Sequence, residues 1–408
     1  MRVIVAIQER FNITPDGDVY PTSIVDYAFW SRYLKVFDEV VVFARVYPID
    51  EPDAASIPLK ASGPGVVFFL LPCYIGPWQY LKCRQKLKRL AKQVLLNEAA
   101  CILRVPGVIG TLLWYELIRT ARPYGLEVVG DPWDSLSPGS VKTVLRPIAR
   151  RKESWELTRQ CRMASVASYV TEHSLQKRYP PGNWSTHYSS IELSAGTIAT
   201  EEDIKHRLEN IDAKALNHGP WRVCYAGSME QLYKAPDILI KAIVICLARG
   251  MKLELVLLGD GRYRPQLENI ARKLGISRHV IFLGKVPSGK AVYDQFDMAD
   301  LYVLPSRQEG LPRSVIEAMA RGLPCIGSNV GGFGELLENE YMVQPDDVSA
   351  LADRIAKVIA DPDGLKSAVK RNVEVASQYS SDILEKRRIE FYAKVKEVTQ
   401  DWLRGKRE

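Results

Sequence analysis

The strongest constraint on this chain is a recurring unit: a short run rich in Val, Ile, Leu, Phe and Tyr, followed by an interval long enough for one helix. That alternation is the pattern of parallel βαβ units, in which strands buried on both faces read as near-continuous apolar segments. In the first half the runs are Val3–Ile7, Val40–Phe43, Val66–Leu71, Cys101–Val105, Glu127–Val129, Val166–Val170 and His187–Ile191. In the second they are Val223–Ala226, Glu254–Leu258, Val280–Leu283, Leu301–Leu304, Cys325–Gly327 and a short one at Met342. Two strand sets in 408 residues predict two facing Rossmann-like, doubly wound α/β domains, since one such core would be too small for the length.

Between the sets, Ser194–Trp221 passes through small residues, a charged stretch and a His-Gly-Pro break, which marks a linker. The expected organisation is an acceptor domain over 1–200, a donor domain over 201–380, and a terminal segment over 381–408. In that last segment Ile383, Ile389, Tyr392 and Val395 recur like a helix face, so it is expected to pack back across the junction.

Composition excludes several classes. The seven cysteines are odd in number, scattered and never in a CxxC pair, which fits a reducing cytoplasm rather than a disulfide scaffold. The N-terminus reads as neither a signal peptide nor a spanning helix. The five histidines have no ligand spacing, and the two DxD triplets, Asp16-Gly17-Asp18 and Asp361-Pro362-Asp363, read as turns, so no metal is expected. The net charge of +7 sits in the first half, where residues 1–195 carry 24 basic against 18 acidic side chains. Lys82–Lys92 holds six basic residues and no acid, and Val141–Lys152 five more. In the first of these, Tyr80, Cys83, Leu87, Leu90 and Val94 form an apolar stripe. Two readings stand: a helix contacting an anionic membrane surface at its inner face, or a domain helix with a solvated outer face. Without a recognised motif beside the charge, nucleic acid is not an expected partner.

The chemistry concentrates in Leu301–Pro324, LYVLPSRQEGLPRSVIEAMARGLP: a strand, a glycine-containing turn, a helix and a Gly-Leu-Pro stop. With Pro312 as the first helical residue, the amides of Leu311, Arg313 and Ser314 remain available to an anion. On spacing alone, Glu317 is an exposed helical carboxylate pairing with Arg313 or Arg321. A second constellation, Tyr225–Lys241, reads YAGSMEQLYKAPDILIK, with Lys234 in a loop before a helix. Gly259-Asp260-Gly261 lacks the third glycine of a dinucleotide fingerprint and reads as a turn at a strand end.

Residues 222–360 resemble the donor domain of glycosyltransferase family 4, retaining enzymes of the B-type fold. The resemblance rests on Glu309 and Glu317 separated by GLPRSVI, on the flanks PSRQEG and EAMARGLPCIGSNVGG, and on LLGDGR and FLGKVP. It implies a nucleoside diphosphate sugar as donor and a saccharide or lipid-linked acceptor, in polysaccharide or glycolipid synthesis. No cofactor beyond the donor substrate is implied.

By the same resemblance Glu309 faces the donor sugar, the turn Gly310, Leu311, Arg313, Ser314 cradles the diphosphate, and Glu317 binds the ribose. Lys285 and Val286 lie by the base, and Gly331-Gly332 with Glu335 forms the loop over the sugar. The turn after the first strand, Gly227-Ser228, keeps the family's lysine as Lys234 but has Ser228 where an arginine is expected. Arg307 and Arg313 are the nearest cations to replace it. In the first half Asp131 and Arg104 stand at strand ends, Asp131 as a candidate catalytic group. The competing readings are a catalytically silent nucleotide-sugar-binding protein and a sugar-nucleotide epimerase.

Overall fold

The computed structural model describes residues 1–22, 25–50, 59–136, 145–191, 193–217 and 219–406. Residues 141–144 of the second basic stretch and His218 of the expected linker lie outside them. The chain divides into two compact units, one of Met1–Tyr188 with Glu385–Glu408 and one of Ser189–Leu384.

In the first unit the strands are β1 (Arg2–Ile13), β2 (Val19–Pro21), β3 (Glu39–Pro48), β4 (Val66–Pro72), β5 (Ala100–Val105), β6 (Gly125–Val128), β7 (Val166–Tyr169) and β8 (Trp184–His187). They form one sheet in the order β4-β3-β1-β5-β6-β7-β8, parallel throughout except for β2, which pairs antiparallel with β1. Hydrophobic alternation carries no signal for so short a strand as β2. It forms because Asp16-Gly17-Asp18 makes a turn, with the Gly17 amide donating to the Thr14 carbonyl at 3.0 Å. β8 lies earlier than the predicted His187–Ile191, because its ladder with β7 runs from Val166–Trp184 to Tyr169–His187.

The second unit holds β9 (Trp221–Ala226), β10 (Leu253–Leu258), β11 (Val280–Gly284), β12 (Leu301–Leu304), β13 (Cys325–Ser328) and β14 (Met342–Val343). All six are parallel, in the order β11-β10-β9-β12-β13-β14. Numbered within the unit this is 3-2-1-4-5-6, the doubly wound order, and it reverses between β9 and β12. Loops leaving the carboxyl ends of those two strands diverge to opposite faces and open a crevice. The first unit has the same reversal between β1 and β5.

The apolar stripe of the basic helix Gly76–Val94 faces inward. Leu87 and Val94 are buried, and Tyr80, Cys83 and Leu90 pack against the core of the first unit. The stripe therefore serves the domain core. The terminal helix Ser381–Gly405 enters the first unit by stacking Tyr392 on Tyr33, ring centroids 4.5 Å apart, with Phe391 and Val395 fully buried. All seven cysteines are free, five of them buried.

Candidate active site

Three glycines build the floor of the crevice in the second unit. Gly227, Gly259 and Gly284 end β9, β10 and β11, and their backbones touch: the Gly227 amide donates to the Leu258 carbonyl at 2.9 Å and the Gly259 amide to the Gly284 carbonyl at 2.8 Å. A Cβ on Gly259, whose φ is +131°, would fall on the Gly227 carbonyl. A Cβ on Gly227 would fall on the stem of Lys234 and beside the Tyr225 hydroxyl, which is buried with no hydrogen-bond partner among the described residues. The sequence signal for this floor was a glycine directly after each of three strand runs, in YAG, LLG and FLG.

Lys234 ends a short 3-10 turn, Leu232–Lys234, that is tied to the loop after β12. The Arg307 amide donates to the Tyr233 carbonyl at 2.7 Å, and the Arg307 guanidinium donates to the Leu232 carbonyl. The same guanidinium pairs with both oxygens of Asp237, at 3.0 and 2.8 Å, and with Asp346 at 2.7 Å. Arg307 is thus a clip between two loops, its charge already faced by two carboxylates. No sequence pattern announces the clip, because Asp237, Arg307 and Asp346 are far apart in the chain.

Glu309 and Glu317 both lie within the field of Lys234 and Arg313. Burial pushes both carboxyls above the ordinary glutamate range, because a charge taken from water favours its neutral form. Lys234 and Arg313 pull both back, so the two cations and two acids share one electrostatic neighbourhood. Ser306 Oγ, fully buried, donates to Glu309 Oε1 at 3.0 Å. Among the described residues Glu317 makes no ion pair: Arg321, offered as its partner by spacing, is held by Asp297 at 2.8 and 2.9 Å. Lys234 makes neither ion pair nor hydrogen bond to the described protein, which leaves its ammonium available.

The helix Arg313–Ala320 begins one residue later than expected, with Pro312 as its N-cap. Its first turn tightens, the Val315 amide donating to the Pro312 carbonyl at 3.1 Å, and no side chain caps the end. Ser314 Oγ is buried, with no hydrogen-bond partner among the described residues. Gly331 has φ +52° and lies on the Glu309 carbonyl, where a Cβ would collide, and the Gly332 amide donates to the Gly310 carbonyl at 2.6 Å. The glycine loop is thereby fixed on the acidic turn.

Ser228 is exposed, and its hydroxyl accepts from the Glu230 amide at 3.2 Å, so it shapes its own turn. Lys285 is exposed and Val286 half-buried, just past Gly284. In the first unit Asp131 caps the helix Pro132–Ser135 through the Trp133 amide at 2.8 Å, accepts from Tyr179 at 2.6 Å and pairs with Arg178. Its oxygens are occupied in holding that loop. Arg104 is likewise committed, to buried Glu127 at 2.5 Å, which also accepts from Tyr33 and Tyr188.

Set against known proteins, residues 206–375 match the family described as glycosyl transferases group 1. Over 399 residues the chain is 26% identical to Protein CapJ of Staphylococcus aureus, covering 97% of this chain and 96% of that one. It is 32% identical to the D-inositol 3-phosphate glycosyltransferase of Nocardia farcinica over 39% of this chain and 37% of that protein. Among solved structures it is similar to Anabaena HepE in complex with UDP and glucose, with a TM-score of 0.60 at 16% identity over 99% of both chains. It is also similar to sucrose-phosphate synthase of Thermosynechococcus elongatus, with a TM-score of 0.65 at 15% identity over 94% and 96%. Residues 206–375, within the second unit, thus match the glycosyl transferases group 1 family, the fold is of the two-Rossmann-like-domain, B-type kind, and the two together support a glycosyltransferase.

Proposed function

We propose that the protein is a retaining glycosyltransferase of family 4 that moves a sugar from a nucleoside diphosphate sugar to an acceptor hydroxyl, without a metal ion, in polysaccharide or glycolipid synthesis. The observation that carries this reading is the Lys234 ammonium, unpaired among the described residues, at the reversal point of the second sheet, sharing its field with two half-buried carboxylates and an uncapped helix N-terminus. A diphosphate fits this arrangement: helix amides and an ammonium meet its charge, and the two acids accept hydrogen bonds from hydroxyls on either side. Arg313, exposed at the first position of that helix, is the cation that takes the place of the arginine missing at Ser228.

In the step itself the bond from the anomeric carbon to the diphosphate breaks and a bond to the acceptor oxygen forms on the same face. The acceptor proton passes to the departing phosphate oxygen. Glu309 and Glu317 orient donor hydroxyls, while Lys234 and Arg313 stabilise the charge that grows on the leaving group, usually a large catalytic contribution. The neighbour HepE was solved with UDP and glucose, which makes uridine donors the first to try.

The test is a thermal-shift panel of nucleoside diphosphates and their sugars, followed by transfer and donor hydrolysis with Lys234→Ala and Glu317→Ala alongside. One nucleotide class should raise the melting temperature, and both variants should lose turnover. Binding with turnover equal in all three proteins would favour a silent nucleotide-sugar sensor, the reading that Ser228 supports. Conversion of the donor without any acceptor would favour an epimerase.

A further inference from the structure

We propose that the outward face of the helix Gly76–Val94 is a docking surface for an anionic lipid bilayer. The helix turns Leu87, Ala91 and Val94 to the core, and the opposite side is exposed along its whole length. At its start that side carries Ile75, Trp78 and Leu81, which are 65%, 79% and 56% exposed. Along the remainder it carries Lys82, Lys88, Arg89 and Lys92, with Arg84 and Lys86 on the flanks and no acidic residue anywhere in the helix.

An exposed tryptophan and two aliphatic side chains at the end of a basic stripe suit a surface with phosphates outside and hydrocarbon just beneath. The indole sits at the headgroup level, the aliphatic groups enter, and the ammonium and guanidinium groups pair with phosphates. Nucleic acid offers the phosphates without the apolar layer, and so leaves Ile75 and Leu81 in water. No helix among the described residues is long and apolar enough to cross a membrane, so the contact is peripheral. The helix follows the carboxyl end of β4, the edge at which open α/β sheets receive ligands. Docking there brings that edge of the first unit to the lipid surface.

The experiment is co-sedimentation of the full chain with vesicles of phosphatidylcholine alone or mixed with phosphatidylglycerol. Binding should need the anionic lipid and weaken with salt. Lys88→Ala with Arg89→Ala should weaken it roughly fivefold per charge, and Trp78→Ala with Leu81→Ala should weaken it without changing the salt dependence. Arg272→Ala with Lys273→Ala, an exposed basic pair of the second unit, should bind as the wild type does. An unchanged melting temperature for each variant shows that the fold is kept. No dependence on anionic lipid, helix variants equal to wild type, or equal losses in the control pair would overturn the proposal. None of these outcomes depends on donor binding, so a failure here is separable from a failure of the transfer reading.

Discussion

At the scale of single residues, the site is two acids that burial makes reluctant to ionise and two cations that partly offset that effect. The sign of the pH effect follows. Because Glu309 and Glu317 hold protons more tightly folded than unfolded, the native state binds more protons, and stability falls as pH rises from the ordinary glutamate range through the raised folded values. Urea unfolding across that window should show the slope, and Glu309→Gln should flatten it. Donor affinity should run the other way, dropping as pH falls into the window, since a protonated carboxyl accepts fewer hydrogen bonds. Lys234→Ala should lower kcat about 10²–10³-fold, the usual scale for removing one charge-stabilising group. Arg313→Ala should cost roughly tenfold or more in donor Kd, consistent with losing a charge-assisted hydrogen bond. Steady-state transfer rates measure the first expectation, and a titration of the donor against the Arg313 variant measures the second.

Between elements, the site is held by contacts that leave no room for side chains. The floor of Gly227, Gly259 and Gly284 and the seat of Gly331 on the Glu309 carbonyl are backbone against backbone. Gly331→Ala should therefore weaken donor binding through displacement of the acidic turn, even though residue 331 carries no functional group. Its melting temperature should fall as well, because a positive φ is strained for alanine. Arg307→Ala would leave Asp237 and Asp346 unpaired. A fully buried pair costs about 3–5 kcal/mol to break, and the Arg307 side chain is 28% exposed, so about 2 kcal/mol is expected in denaturant unfolding. Nucleotide binding should weaken alongside, because the Leu232–Lys234 turn loses its clip. Arg307→Lys cannot restore the bidentate contact to Asp237 and should rescue little of either effect.

For the whole molecule, each unit repeats one topological device, a parallel sheet whose order reverses beside its first strand, and the last helix belongs to the unit in which the chain began. Tyr392→Ala removes a fully buried ring stacked on Tyr33 and should destabilise the first unit by about 3–5 kcal/mol in urea unfolding. Much of this architecture was legible beforehand, because strands buried on both faces announce themselves as apolar runs whatever surrounds them. β12 is bounded as read, and β9, β10, β11 and β13 differ only at their ends. The runs fix which segments become strands, and EGLPRSVIE fixes where an acidic turn meets a helix. Which cation is available was decided only by tertiary contacts. Arg307 and Arg313 are equally plausible in one dimension, and folding brings Asp237 and Asp346 to the first while leaving the second beside both glutamates. The same holds for Asp131 and for the outward face of the basic helix: a sequence lists charges and apolar groups, but pairing and exposure depend on which distant segments arrive next to them.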